Sequence, residues 1–272
     1  MRIIKIEEDP FVELPYLNAG REVGGFDEEG LSVLVGTVDR LPNGVDALVV
    51  TSDLQGREHF QFQSGPSLRL LGEWLPKVLR DSILPLIGQP VEQVGVLLCG
   101  DFYTVPNLDK RGGSGDVTSV WNEFGDHFAW VAGVAGNHDT FGTNDSEPPK
   151  FRPHLHFLDC NRKTICGLDI AGISGIIGNP KRAWRKSVES FDGFICSLAS
   201  RQPDILLMHD GADVAELGCP GTPSIREALK HLDRPLVIRG HKHWDQPIAE
   251  LKNGLQILNV DSRVVILTPA AE

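Results

Sequence analysis

Residues 130–139 read WVAGVAGNHD, and residues 235–243 read PLVIRGHKH. In each stretch an apolar run stops at a glycine and gives way at once to Asn, Asp or His. Three further stretches have the same shape: VVTSDLQG at 49–56, VGVLLCGD at 94–101 and DILLMHDG at 204–211. Apolar runs of about four to eight residues bounded by turn residues are consistent with buried strands. Five such strands deliver Asp53, Gln55, Asp101, Asn137, His138, His209, His241 and His243 to one rim of a sheet. In an open α/β sheet that rim, outside the carboxyl ends of the strands, is where ligands bind. The set offers enough oxygen and imidazole donors for two divalent cations, which points towards phosphate-ester hydrolysis.

The bulk properties agree with a globular enzyme. At 272 residues the chain can bury one substantial core, and no repeat or low-complexity tract divides it, so residues 1–272 are expected to form a single domain. A hydrophobic content of 41% with 23% charged residues is ordinary for a soluble protein. The net charge of −11 argues against an extended nucleic-acid surface, because phosphate backbones are held mainly by Lys and Arg. It leaves room for a small phosphorylated substrate, since bound cations reverse the local field. The first residues, MRIIKIEEDP, fit neither a secretory signal nor a membrane span. Cys99, Cys160, Cys166, Cys196 and Cys219 lack CxxC spacing, and an odd number cannot all pair within the chain. Reduced thiols in a cytoplasmic protein are the simplest interpretation.

Periodicity predicts helical spacing over 66–87, kinked or split at Pro76, and a short helix over 117–124 capped by Asp116. It predicts further helices over 187–200 and over 222–232, the latter with Thr222 as cap and Pro223 in its first turn. Residues 31–38 look like a strand, and Asn253–Gly254 marks a hairpin. FDEEG at 26–30 reads as a solvated face. The sum is a central mixed sheet, or two packed sheets, flanked by helices.

The ordered motifs resemble those of the calcineurin-like metallophosphoesterase superfamily, which run D-x-H, GD, GNH[DE], a lone His and GHxH. The resemblance spans about residues 45–245 and rests most on GNHD and GHKH. It implies a four-layer α/β/β/α sandwich of two mixed sheets flanked by helices. It also implies that Asp53, Gln55, Asp101 and His243 hold one metal, while Asp101, Asn137, His209 and His241 hold the other. A metal-activated hydroxide would attack phosphorus, and His138 would protonate the departing oxygen or stabilise the charge developing there. General acid catalysis of this kind contributes about 10²- to 10⁴-fold.

The departure from the pattern is Gln55, where the family usually has His. An amide oxygen is harder than imidazole nitrogen and a weaker donor. The first site therefore either favours an oxygen-preferring ion such as Mn or Mg over Zn, or binds its ion weakly; for the pair of cations manganese is foremost, with Mg, Fe or Zn as other choices. A one-metal or inactive site is the third consequence. Asp139 either orients His138 or is an ordinary turn carboxylate. Arg57 and Arg239 adjoin ligand loops and are either substrate-phosphate contacts or surface residues. KRGGSG at 110–115 either folds over a substrate or is a solvated loop, and Trp184 with Arg182 and Arg185 is a weak signal for a stacking wall. His59, His127, His154, His156 and His231 match no motif position. GDFYTVPN at 100–107 and GNHD set the chain apart from protein Ser/Thr phosphatases, whose motifs run GDxVDRG and GNHE. A small phosphomonoester, phosphodiester or nucleotide is the expected substrate. The competing reading is a catalytically weak or inactive binding module for a protein partner. Neither motif nor composition addresses oligomeric state.

Overall fold

Alternation along the strands sorts most of the buried apolar side chains into three large cores, with a small fourth cluster of Leu17, Ala19 and Leu108. In the strand Ala47–Ser52, Val49 packs one way while Leu48 and Val50 pack the other; in Val94–Leu98, Val96 and Leu98 oppose Leu97. The strand Ile205–Met208 divides likewise, with Ile205 and Leu207 on one face and Leu206 and Met208 on the other. Strands apolar on both faces must be covered on both faces. The computed structural model, which describes residues 1–20, 25–142, 149–232 and 234–270, satisfies that demand with two sheets packed face to face and helices outside each.

The first sheet has nine strands among the described residues. Its order is Leu155–Phe157, Trp130–Gly133, Val94–Leu98, Ala47–Ser52, Arg263–Pro269, Phe26–Val38, Val12–Ala19 and Arg57–Glu58, with Ile3–Ile6 also paired to Phe26–Val38. The four strands from Leu155–Phe157 to Ala47–Ser52 are parallel. The second sheet runs Asn161–Ile165, Leu168–Ile173, Ile205–Met208, Leu236–Arg239, Gln256–Asn259 and Ile248–Glu250. Its outer pairs are antiparallel and its inner ones parallel. The helices Leu71–Val78 and Thr118–His127 cover the first sheet through Leu71, Leu75, Trp121 and Phe124. Val188–Ala199 and Pro223–Leu229 cover the second through Phe191, Ile195, Ile225 and Leu229. The architecture is thus the four-layer α/β/β/α sandwich expected.

Local details depart from the sequence reading. The first helix starts at Leu71, where Glu73 Oε2 accepts the Leu70 N–H at 2.8 Å, so residues 66–70 lie outside it. It runs through Pro76 without dividing and widens into a π turn at Leu79–Ile83. Asp116 accepts the Thr118 N–H at 2.8 Å, but the helix extends to His127. Thr222 precedes its helix without capping it, because its hydroxyl donates to Asp210 Oδ1 at 2.8 Å. Phe26–Val38 is one strand of 13 residues, and its first half carries Glu29, which accepts from Tyr16 and pairs with Arg111. Among the described residues no helix is long and apolar enough to cross a membrane.

Candidate metal centre

The parallel strands of the two sheets end at a common edge, and the motif residues stand in the first turns beyond it. Asp53, Asp101 and His241 adopt φ values of 54°, 58° and 71°. A non-glycine residue in this left-handed region carries strain of about 1–2 kcal/mol, tolerated where the surroundings over-determine it. Gly136 supplies close approach: a Cβ there would lie 2.0 Å from Asp101 Oδ1. The GD and GN turns therefore pack against each other, and Asp101 Oδ1 accepts the His138 N–H at 2.9 Å.

Asp101, His209 and His241 offer ligand atoms that all lie within 4.8 Å of one another. His209 is fully buried and its Nδ1 bonds the Cys99 carbonyl at 2.7 Å, so that the neutral ring a cation requires keeps its proton on Nδ1 and presents Nε2 as the lone-pair donor. Nε2 sits 3.3 Å from Asp101 Oδ2 yet makes no hydrogen bond. Asn137 Oδ1 is likewise buried with no partner. Buried polar atoms are normally satisfied. A buried imidazole nitrogen beside a carboxylate, and a buried amide oxygen in the adjoining turn, both without partners, are donors of the kind a cation-binding cage requires, so these residues fit a divalent ion.

The charges tell the same story. Burial and the neighbouring Asp261 carboxylate push Asp53 well above the usual carboxylate range. Burial also raises Asp101, but His209 and His138 outweigh it and leave that acid lowered. Burial disfavours the charged form of His209, yet Asp101 overrides it and lifts the imidazole to about 10. Burial and the charge of His209 drive His241 down to about 4. The crowded carboxylates thus draw on a histidine for positive charge, a role a dication fills better.

Asp53, Gln55 and His243 are less ready. Asp53 Oδ2 accepts from Ser52 Oγ at 2.6 Å and from His241 N at 2.9 Å. Gln55 turns its amide nitrogen, at 3.4 Å, towards Asp101 Oδ2; a half-turn of the amide would bring its oxygen there. His243 does not join the group of three: Arg263 Nη2 lies 3.0 Å from its Nε2, and Asp261 Oδ1 lies 3.5 Å from its Nδ1.

Four sequence expectations need correction. Arg239 is fully buried, donates to the Lys242 carbonyl at 2.7 Å and lies over the Trp244 ring, so it shapes the GHKH turn and cannot meet a substrate phosphate. Arg57 is also buried, with donors on the Leu68 and Thr104 carbonyls at 2.9 and 2.7 Å. Asp139 does not orient His138. Its carboxylate, pushed up to about 6 by burial and by Asp101, accepts the N–H groups of Asp101, Phe102 and Gly136 at 2.8–2.9 Å. Trp184 is no free stacking wall either, because its Nε1 donates to the Asp139 carbonyl at 2.9 Å and its ring packs on Phe141 and Phe157.

Sequence reasoning missed Asp261, Arg263 and Ser114. Asp261 closes the apolar run QILNVD at 256–261, the same signal that marked the other strand ends. Arg263 lies within the final strand and carried no comparable mark. Ser114 Oγ sits 3.0 Å from His138 Nδ1, a contact no spacing rule predicts.

This rim, with its acid shared between GD and GNHD turns and its paired histidine strands, defines a metal-dependent phosphoesterase. The chain belongs to the calcineurin-like phosphoesterase family, which matches residues 47–245, and it is a phosphoric ester hydrolase. Among solved structures it is similar to a protein of Thermus thermophilus, with 14% identity over 82% of this chain and 88% of that one at a TM-score of 0.50. It is also similar to a dimetal phosphatase from Danio rerio, with 13% identity over 80% and 87% of the two chains and a TM-score of 0.44. A third likeness is to the phosphopantetheinyl hydrolase of Mycobacterium tuberculosis, with 12% identity over 80% and 90% and a TM-score of 0.40. The first of these supports the fold. No curated protein sequence matches the chain.

Proposed function

We propose that the protein hydrolyses a small phosphomonoester, phosphodiester or nucleotide with two divalent cations at this rim. The observation that carries the reading is the convergence of Asp101, His209 and His241, with the unpartnered oxygen of Asn137 buried in the turn that packs on Asp101. These four residues would hold one cation. Asp53, Gln55 and His243 would share Asp101 to hold the other, with Asp261 close by. Bound there, the cations would neutralise phosphoryl charge and lower the pKa of coordinated water towards neutrality. Manganese suits the oxygen-rich half in which Gln55 replaces an imidazole.

The chain's own residues supply the rest. Asp101 fixes His138 through its backbone N–H, and Asp139 fixes the two turns that carry Asp101 and Asn137. His138 is half-buried, so its ring can meet the leaving oxygen of a bound ester and donate a proton to it. The strongly acidic chain favours a small substrate over a polyanion. Its five free cysteines fit the reducing cytoplasm.

Hydrolysis of nitrophenyl mono- and diesters and of a nucleotide panel, with Mn, Mg or no metal, tests the proposal. Metal-dependent turnover is expected, with a loss of at least about a hundredfold in His138→Ala on esters with a basic leaving oxygen, such as a nucleoside hydroxyl. No turnover on any ester with any of these metals would sink it. A second reading, a fold kept as a scaffold for a protein partner, draws on the engagement of His243 with Arg263. One bound ion or none, with trace activity unchanged in His138→Ala, would favour that reading.

A further inference from the structure

The loop after the GD motif supplies His138 with a partner that Asp139 does not. Ser114 Oγ lies 3.0 Å from His138 Nδ1, and the contact is built into the fold. Gly115 N–H donates to the His138 carbonyl at 3.1 Å, and Gly115–Asp116 pairs as a short parallel strand with Asp139–Thr140. The Val117 N–H then bonds the Thr140 carbonyl at 3.0 Å. At the near end of the loop, the Gly112 carbonyl accepts from Val105 N at 3.1 Å and from Thr104 Oγ1 at 3.4 Å. Gly115 packs on Tyr103, whose ring a Cβ there would meet at 2.3 Å. On the opposite side Trp184 holds the Asp139 carbonyl. The backbone of residues 138–140 is therefore gripped from both flanks, and Ser114 reaches the imidazole from a pinned loop, not a mobile lid.

We infer that Ser114 is a positioning residue that holds the His138 ring with its proton on Nδ1 and its Nε2 turned to the leaving group; this rests on the proposed role of His138 as general acid. A serine hydroxyl can accept from Nδ1–H whether the ring is imidazolium or neutral. As a water oxygen bonds to phosphorus and its proton passes to solvent, Nε2 gives its own proton to the departing oxygen, the P–O bond to that oxygen breaks, and the oxygen leaves as an alcohol. The ring is left as the neutral Nδ1–H tautomer, and the bond to Ser114 persists throughout. Which nitrogen of a histidine carries chemistry is set by the hydrogen bond the other makes. Without Ser114 the ring is free to swing and to exchange tautomers, and its proton reaches the leaving group less often.

The test compares wild type, Ser114→Ala, Ser114→Thr and His138→Ala, all loaded with manganese, on aryl phosphate esters of rising leaving-group basicity. A general acid matters most where the leaving oxygen is most basic. Ser114→Ala should lose about tenfold in kcat on the most basic leaving group and less than about twofold on nitrophenol, a fraction of the general-acid factor, with KM nearly unchanged. Ser114→Thr, which keeps the hydroxyl, should recover most of the loss. Long-range proton–nitrogen NMR of the metal-free protein reads the ring directly: Nδ1–H in the wild type, and a shifted or averaged tautomer in Ser114→Ala. An equal loss across the series, no loss, a threonine variant as slow as the alanine, or an unmoved tautomer overturns the inference. The His138→Ala control separates the two layers. A steep leaving-group dependence there with a flat one in Ser114→Ala removes only Ser114, whereas flat dependence in both removes the acid itself and the inference with it.

Discussion

The two halves of the rim contain similar residue types but differ in how free their donors are. In the half made by Asp101, Asn137, His209 and His241, two donor atoms are buried without partners, and the bond from His209 Nδ1 to the Cys99 carbonyl fixes which nitrogen is available. In the half made by Asp53, Gln55 and His243, hydrogen bonds already engage the carboxylate, the amide presents nitrogen, and the imidazole faces an arginine. The physical cause lies in placement. His209 stands directly at a strand end inside the sandwich, whereas His243 stands beyond the glycine-led turn, its side chain 53% exposed. Under the proposed reading, an ion in the first of these halves meets donors already in place. An ion in the other must displace Arg263 and turn an amide.

That asymmetry is breakable by experiment. The largest effect belongs to the ready half. His209→Ala removes a buried ligand and should cost about a thousandfold or more in kcat, because charge stabilisation by the cation is worth several kcal/mol. Metal counting on the purified variant should show loss of the tightly held ion. Retention of that ion would break the comparison outright. Next comes the residue beneath both turns. Asp139→Ala strips the acceptor from three backbone N–H groups and should destabilise the fold by about 2–4 kcal/mol, a melting-temperature drop of roughly 4–7 °C. A variant with unchanged melting but lost turnover would return Asp139 to the chemistry.

Much of this was legible in the sequence, for an identifiable reason. Each strand-end motif is local: an apolar run sets the strand, and the Asp, Asn or His that closes it falls on the rim, in most cases close to a glycine. Asp261 closes an apolar run in the same way, without the glycine, and could have been read. What stayed hidden depends on faces and on distant pairing. Arg239 adjoins the GHKH motif, yet in its strand Ile238 points into the inter-sheet core while Val237 joins the helix-side core. By the period of two, Arg239 follows Val237 to that side, where Trp244 lies beneath its guanidinium. Ser114 meets His138 only because residues 115–116 pair with 139–140, and no periodicity announces a ladder that short. The sheet order was equally hidden, since Arg263–Pro269 inserts between Ala47–Ser52 and Phe26–Val38 through pairings more than 200 residues apart.

Two further substitutions sharpen the contrast by acting on the less ready half. Gln55→His restores the donor the family usually has there, and it should tighten the weaker ion by about tenfold as imidazole replaces an amide oxygen. Manganese titration followed by electron paramagnetic resonance checks this, and an unchanged affinity would place Gln55 outside the site.

The smallest expected effect is the most discriminating. Arg263 is buried, bonds the Trp244 carbonyl and lies 3.0 Å from His243 Nε2, so its fixed positive charge competes with a cation for that nitrogen. Arg263→Gln removes the charge while keeping a donor for the Trp244 carbonyl. The weaker ion should then bind about two- to fivefold more tightly, a gain limited because a lone pair shared with a guanidinium is only partly withheld. Arg263→Lys, which keeps the charge, should leave affinity where it is. If both variants bind the weaker ion alike, charge competition is not what separates the halves. Gln55 and the engaged Asp53 carboxylate must then account for the difference, and the double variant Gln55→His with Arg263→Gln would gain nothing over Gln55→His.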